Sequence, residues 1–376
     1  MAVRVIQGMA EGFLWPASFI LINNWSPVAE INRIAAFVAT GSYAGPILGF
    51  PISGAITNYI GWQYSFYASG ASGILWLGFW WIFAYEKADH HPKISESELF
   101  LLRKNKTTSH AQCPSWRDVP WKSISTSKPF IAMCACAFAK GWVFNMLLMQ
   151  EPTYMHVFGF SIAQNGIWSA MPFAFKLIVC YASGFLADFL VNKAMTSRTQ
   201  VRKLFNTFGF GAESMCLFSL SFIYDGGLAI ALLSTGISLG GLAVSGWQTN
   251  HLVLAPQLAG ILVAVTQSFS NLAGIFSPLV AGYFIQESAN LALAIDGDHH
   301  LGVSDTDIFG WHMVFLTSSL IVATCCTVYA LFASGDEQNW AEIIPFSEAK
   351  ESLIIESGEM TTAIFYQATK NGVENE

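Results

Sequence analysis

Two charged residues lie inside the first apolar stretch of this chain, where a bilayer would make them costly. Arg4 and Glu11 are seven residues apart, which is two helical turns, so they share one face at a separation of about 10 Å. Gln7 and Gly8 lie between them on that face. A charge at bilayer depth tends to line a pathway, so this polar stripe predicts a substrate or proton route through a helical bundle. Two plainer interpretations stay open: Arg4 could extend to the membrane surface, and Glu11 could make only a structural hydrogen bond.

The composition indicates a membrane protein. Hydrophobic residues make up 53% of the chain and charged residues 11%, whereas soluble domains carry about 25% charged residues. The formal net charge is −7, and neither a basic stripe nor a Cys/His finger spacing is present, so a nucleic-acid partner is not expected. The seven cysteines are scattered without a CxxC pair, which favours small buried side chains over a metal site.

Nine apolar stretches are each long enough to cross a bilayer, which requires about 20 residues. They cover approximately residues 2–22, 34–59, 62–85, 127–150, 165–190, 202–224, 226–247, 257–286 and 310–334. The sequence therefore predicts an all-α membrane protein with nine transmembrane helices.

The loops between these stretches alternate in charge. Lys and Arg concentrate in the 23–33 turn, the central polar segment, the 191–203 loop and the tail, and none occurs near 60, in 151–164, near 225 or in 287–309. The positive-inside rule makes the basic set cytoplasmic. The predicted division is a partial N-terminal half with three spans (1–86), a cytoplasmic central loop (87–126), a six-helix half (127–334) and a cytoplasmic tail (335–376). Because such a loop commonly separates two six-helix halves, the first half is expected to lack three helices.

Glycines spaced four apart mark the second span. Gly41, Gly45 and Gly49 would allow close approach of a neighbouring helix, and Pro46 permits a bend. Helix packing alone would explain the pattern.

Charges further along the chain suggest two other roles. Lys140 and Lys176 lie within predicted spans and could contact an anion, although Lys176 could equally be an interface residue. Asp188, followed by Lys193 and Arg198, predicts a charge latch between helices that holds one conformation closed, with a solvated loop charge as the alternative.

Signatures of enzymes are missing from the sequence. We find no GxxxxGK[ST] loop, no HExxH and no serine nucleophile elbow. The acidic and histidine residues at 296–300 are better explained as a solvated loop than as a metal site. An enzyme, a cofactor and a metal are therefore not expected.

Longer strings resemble a known family over nearly the whole chain up to about residue 342. They include Arg4 to Gly12 (RVIQGMAEG), Trp15-Pro16-Ala17, Gly184 to Phe189 (GFLADF), Asn250-His251-Leu252 and Gln338 to Ala341 (QNWA). In this order they resemble the anion–cation symporter family of the major facilitator superfamily, whose members include vesicular glutamate transporters, sialin and type I sodium–phosphate cotransporters. The resemblance makes the first two spans helices four and five of that fold.

The resemblance also implies roles for particular residues. Arg4 matches an arginine implicated in anion transport, and Glu11 matches a glutamate tied to proton coupling. Lys140 stands where vesicular glutamate transporters have arginine, which keeps the charge but loses the planar fork. Asn145 stands where they have tyrosine, and Glu213 follows their pattern. Lys176 has no counterpart that we can match.

Together these features predict a secondary active transporter of an organic or inorganic anion, a carboxylate or phosphate, coupled to H⁺ or Na⁺ by alternating access. Arg4, Lys140, Lys176 and Asn145 would bind the substrate, and Glu11 and Glu213 would couple protons. The predicted location is a plasma, vesicular or lysosomal membrane, with the C-terminus in the cytoplasm. The alternative is a non-transporting scaffold, a receptor-like protein or a vestigial fragment of such a transporter.

Overall fold

The computed structural model describes residues 2–12, 14–26, 31–85, 88, 91–92, 94–106, 119–193, 197–255, 258–296 and 305–341, and within these it contains helices and no strand. The helices are α1 (Ala2–Gly12), α2 (Leu14–Trp25), α3 (Ile31–Tyr59), α4 (Trp62–Phe83), α5 (Glu96–Lys106), α6 (Trp121–Thr126), α7 (Lys128–Val157), α8 (Ile162–Asn192), α9 (Arg198–Leu220), α10 (Gly226–Gly240), α11 (Leu242–Trp247), α12 (His251–Leu254), α13 (Ala259–Asp296) and α14 (Asp305–Phe332). The predicted all-α class is confirmed.

Six helical segments in the described part are long and apolar enough to cross a membrane. They are Trp62–Phe83, Lys128–Val157, Ile162–Ala187, Gly226–Trp247, Ala259–Asn290 and Ile308–Phe332. The other three predicted spans coincide with α1 and α2 together, with α3 and with α9. The first of these is described over residues 2–12 and 14–25, and α9 carries Arg198, Arg202, Lys203 and Glu213. The count of nine spans therefore stays a prediction.

The second half of the chain packs into one bundle with a continuous apolar core. Helix α13 packs along α7, α14 contacts both α7 and α9, and α10 lies against α8 and α9. The core includes fully buried aromatic side chains such as Tyr154, Phe173 and Tyr329. The same bundle receives α3, which packs along α8.

Small residues allow a close crossing in this bundle, where α7 meets α13. A Cβ atom at Gly141 would overlap the carbonyl oxygen of Ser270 and lie 2.7 Å from its Cα, and a Cβ at Gly274 would lie 2.7 Å from Nδ2 of Asn145. Because 141 and 145 are one turn apart, as are 270 and 274, two consecutive turns of each helix interlock. Backbone contact of this kind is a common way for helices to associate in membranes.

Within the described residues the glycine motif of α3 has no close neighbour, so the helix contact expected there stays a prediction. Cβ atoms at Gly41, Gly45 and Gly49 would meet no described atom within 4 Å. Helix α3 instead approaches α8 further along, where a Cβ at Gly54 would lie 3.2 Å from Cα of Gly166. Spacing indicates that a helix has a smooth face but not which part of it receives a partner.

The N-terminal helices are much less buried than the bundle. Neither α1 nor α4 buries any of its residues, and α4 exposes large side chains such as Trp76, Trp81 and Phe83. Surface this apolar suits lipid or another protein helix better than water.

Replacing Gly141 by Ala should separate α7 from α13 and destabilise the protein. The added methyl group has no room beside Ser270, and overpacking of this kind costs about 1–3 kcal/mol. The measurement is thermal unfolding in detergent. Gly282→Ala in α13 is the matched control, since a Cβ there meets nothing within 4 Å. Equal unfolding temperatures for the two variants would contradict the crossing described above.

Candidate functional site

A buried ion pair joins α8 to α9 in the interior of the bundle. Lys176 Nζ lies 3.8 Å from Glu213 Oε1, and the two side chains are 9% and 1% exposed. Both residues were predicted to be functional, one as an anion contact and the other as a proton-coupling group. Their pairing was not predicted, because they lie 37 positions apart in the sequence, on different helices.

The Glu213 carboxylate has no other polar partner in the described part of the chain. Both of its oxygens are buried without a hydrogen bond, so Lys176 alone compensates its charge. Gly240 of α10 covers the carboxylate, and a Cβ there would lie 2.6 Å from Oε2. The adjacent Gly241 is close to two atoms of α8. A Cβ at Gly241 would lie 3.0 Å from the backbone carbonyl oxygen of Lys176 and 3.1 Å from Cys180 Sγ. Any larger residue at 240 would displace the carboxylate.

Tyr43 of α3 completes one wall of the site. The Lys176 Nζ lies 5.9 Å from the centre of its ring, within cation–π range. The Tyr43 side chain is buried and lies near Cys180 of α8, whose thiol donates to the Gly241 carbonyl oxygen. Sequence reasoning missed Tyr43, which lies inside the glycine motif, and also missed Gly240. A tyrosine or a glycine in an apolar stretch carries no signal of its own.

Lys140 of α7 adds a second cation. Its ammonium group is close enough to that of Lys176 for the two to repel each other, and it also acts electrostatically on His251. The described residues offer Lys140 no carboxylate within ion-pair distance. Lys140, Lys176 and Glu213, which we call the lysine cluster, carry one excess positive charge when all three groups are ionised.

The His251 side chain does not compensate the excess positive charge of the lysine cluster. Its ring is buried, with Nδ1 2.8 Å from the Gln248 carbonyl oxygen and Nε2 2.9 Å from Thr266 Oγ1. The ring thus links α12 to α13 beside the lysine cluster. It carries no negative charge that could cancel the excess positive charge.

The polar stripe of α1 has the geometry that its spacing predicted. Arg4 Nη1 donates to Gln7 Oε1 at 3.1 Å, and Gln7 Nε2 donates to Glu11 Oε1 at 2.9 Å. The three exposed side chains are thus joined in series by hydrogen bonds. The Arg4 Cζ atom also lies 5.8 Å from the ring centre of Phe66 in α4. Within the described residues, no hydrogen bond or ion pair connects the polar stripe of α1 to the lysine cluster.

Asn145 occupies a packing position in the α7–α13 crossing. Its Nδ2 donates to the Gly141 carbonyl oxygen at 2.9 Å, and its amide lies against Gly274. A substrate would have to compete with these contacts, so its predicted role in substrate binding remains a prediction.

The predicted latch falls largely outside the described side chains. Asp188 belongs to α8 and Arg198 begins α9, but neither side chain is in the described part of the structure. The exposed Lys193 places Nζ 4.5 Å from the ring centre of Phe189. The latch therefore also remains a prediction.

Comparison with known proteins gives a consistent family match. The family model of the Major Facilitator Superfamily matches residues 1–278. Vesicular glutamate transporter 1 of Xenopus laevis is 33% identical over 372 residues, covering 96% of this chain and 62% of that protein. Probable vesicular glutamate transporter eat-4 of Caenorhabditis elegans is 35% identical over 341 residues, covering 90% of this chain and 56% of that protein. Human vesicular glutamate transporter 2 is 32% identical over 379 residues, covering 98% of this chain and 62% of that protein. The chain thus spans about three fifths of the length of these relatives.

Proposed function

We propose that this chain, which belongs to the major facilitator superfamily, is a secondary active transporter of an organic or inorganic anion. Membership of the superfamily confirms the fold predicted from the sequence strings. The observation that carries the functional proposal is the buried pair of Lys176 and Glu213 together with the half-buried Lys140, which gives the cluster its excess positive charge. A bilayer-embedded cation tends to be functional, and two cations with one carboxylate favour a ligand that brings negative charge. The similar proteins are named as vesicular glutamate transporters, so a carboxylate is the first substrate class to test.

The ion pair suggests how anion binding would be linked to a proton. In the arrangement described here Lys176 is occupied by Glu213. An anion that binds Lys140 and Lys176 competes with that carboxylate. Once released, Glu213 would be a buried charge without a partner, which is strongly unfavourable, and binding a proton removes the penalty. Anion and proton would then favour each other's binding by the same coupling free energy.

The stripe on α1 would supply a second charged position on the pathway. Arg4 and Glu11 are joined through Gln7, so an anion that draws Arg4 away would alter the environment of Glu11. In alternating access, helices of the two halves rock around a central site. We place the lysine cluster at that site and the α1 stripe on the opposing half.

An uptake screen with purified protein in liposomes tests the function directly. Phosphate, glutamate, sialic acid and urate would be offered under an imposed proton gradient and, separately, under a sodium gradient. We expect gradient-dependent accumulation of one anion, and dependence on one of the two gradients identifies the coupling ion. Binding of anions without accumulation under either gradient would contradict transport and favour the non-transporting scaffold.

Replacing Glu11 by Gln should separate exchange from coupling. Glutamine keeps the size and the hydrogen-bonding capacity of the side chain but cannot exchange a proton. We expect counterflow of substrate to persist while accumulation driven by a pH gradient fails, with both measured in the same vesicles. Uphill accumulation at the wild-type level would mean that Glu11 is not the coupling group and would leave that role to Glu213.

We also propose that the central segment 87–126 and the tail 335–376 face the cytoplasm. They belong to the set of loops in which Lys and Arg concentrate, and such loops are cytoplasmic by the positive-inside rule. A cysteine introduced at Asp298, in a background without the native cysteines, should react with an impermeant reagent only from the opposite side of sealed vesicles. A cysteine at Lys122, exposed in α6, is the control and should react from the cytoplasmic side. Reversal of this pattern would reverse the topology.

A further inference from the structure

A second buried acid lies in α7, away from the lysine cluster. Glu151 is 2% exposed and is 11 residues beyond Lys140, about 16 Å along the helix axis. Neither of its carboxyl oxygens has a hydrogen-bond partner in the described part of the chain. Sequence analysis did not single it out, because it falls at the edge of a predicted span, directly before Pro152.

Apolar side chains from three helices enclose this acid. A cavity of about 10 Å³ lies beside the Glu151 side chain, close to the volume that one water molecule needs. Residues of α7, α10 and α14 line it, among them Leu147, Gln150, Tyr154, Leu233, Trp311 and Phe315. The Tyr154 ring packs against Trp311 at 5.1 Å and against Phe315 at 4.8 Å between ring centres. The Tyr154 hydroxyl, like Glu151, has no hydrogen-bond partner among the described residues.

The described residues of the helices around Glu151 offer it no compensating charge. Leu233 of α10 and the two aromatic residues of α14 do not titrate, and Tyr154 is the titratable neighbour on α7 itself. His312 of α14 instead places Nε2 3.1 Å from the Ile223 carbonyl oxygen and its ring against Tyr224. On α13, Glu287 is exposed, and His156 of α7 is exposed as well. An ionised carboxylate in such a pocket would be both dehydrated and unpaired, which is very costly, whereas the neutral acid is tolerated.

The local backbone also favours movement at this position. Pro152 has no N–H, so it cannot bond to the carbonyl of residue 148, and helices bend at such places. The Asn165 side chain of α8 donates to the Pro152 carbonyl oxygen, so a bend in α7 here is tied to α8.

We propose that Glu151 is a proton-binding site that is occupied while α7, α10 and α14 are packed together and that releases its proton when they separate and water enters. Protonation and closure of this end of the bundle would then stabilise each other. The proposal does not depend on the anion that is carried, nor on transport itself.

Infrared difference spectroscopy of the purified protein in lipid tests the site without any transport assay. A protonated carboxyl group has a C=O stretch that a carboxylate lacks, so we expect such a band near neutral pH that is lost in Glu151→Gln. Glu287→Gln, an exposed acid on α13, should leave the band unchanged. The comparison is repeated in a Glu213→Gln background so that the acid of the lysine cluster does not contribute.

A conservative variant protects the test against a folding defect. Glu151→Asp keeps an acid in the pocket and should retain the band at a shifted frequency. A band that is identical in the wild type, Glu151→Gln and Glu151→Asp would overturn the proposal, and so would the absence of any protonated-carboxyl band at neutral pH in the wild type.

Discussion

The Glu213→Gln variant should be less stable than the wild type, and an added anion should restore it. Removing one partner of a buried ion pair leaves the other charge uncompensated, which costs about 3–5 kcal/mol. Here the loss is aggravated because Lys140 and Lys176 already repel each other. The empty cation pair should then bind phosphate or glutamate more tightly than in the wild type. Thermal unfolding in detergent, measured against anion concentration, gives both quantities, since a ligand that binds only the folded form stabilises it.

Two further variants give this prediction a sharp control. Lys176→Met combined with Glu213→Gln removes both charges and should recover most of the lost stability, because neutral replacements of buried pairs are tolerated. Glu287→Gln changes the same residue type at an exposed position of α13 and should unfold like the wild type. If Glu213→Gln alone is as stable as Glu287→Gln, the ion pair contributes nothing to stability, which would contradict the charge compensation of Lys176 by Glu213.

Local periodicity explains which features of this site could be predicted. The hydrogen-bonded chain from Arg4 to Glu11 follows from helical geometry within seven residues. Interactions between neighbours on one helix depend on the helical repeat and on little else.

Contacts between helices are set by rotation and tilt, which the sequence pattern does not specify. Lys176 was identified as a charge within a predicted span and Glu213 through the family resemblance, but their pairing depends on how α8 and α9 rotate towards each other. For the same reason the sequence did not indicate that α3 would approach α8 at Gly54. It also hid Gly240, whose importance appears only once the Glu213 carboxylate is seen against it.

The charge balance of the lysine cluster gives Lys140 its expected importance for transport. With Glu213 paired to Lys176, Lys140 supplies the excess positive charge of the cluster, so Lys140→Ala would leave a neutral pair with no net attraction for an anion. Losing a desolvated charge contact typically costs about 2 kcal/mol or more, which corresponds to a reduction of roughly 30-fold or more in anion affinity. We therefore expect anion uptake by Lys140→Ala to fall to background in liposomes.

Charge and geometry at this position can be distinguished by a second substitution. Lys140→Arg keeps the positive charge and adds a planar fork that can hold a carboxylate through two parallel hydrogen bonds, so uptake should be retained or improved. Lys122→Ala, at an exposed position of α6, should transport like the wild type. Because Lys140→Ala also removes the repulsion felt by Lys176, the variant should be at least as stable as the wild type, and its loss of uptake would reflect lost anion binding and not unfolding. Wild-type uptake by Lys140→Ala would instead show that Lys140 only packs within the bundle.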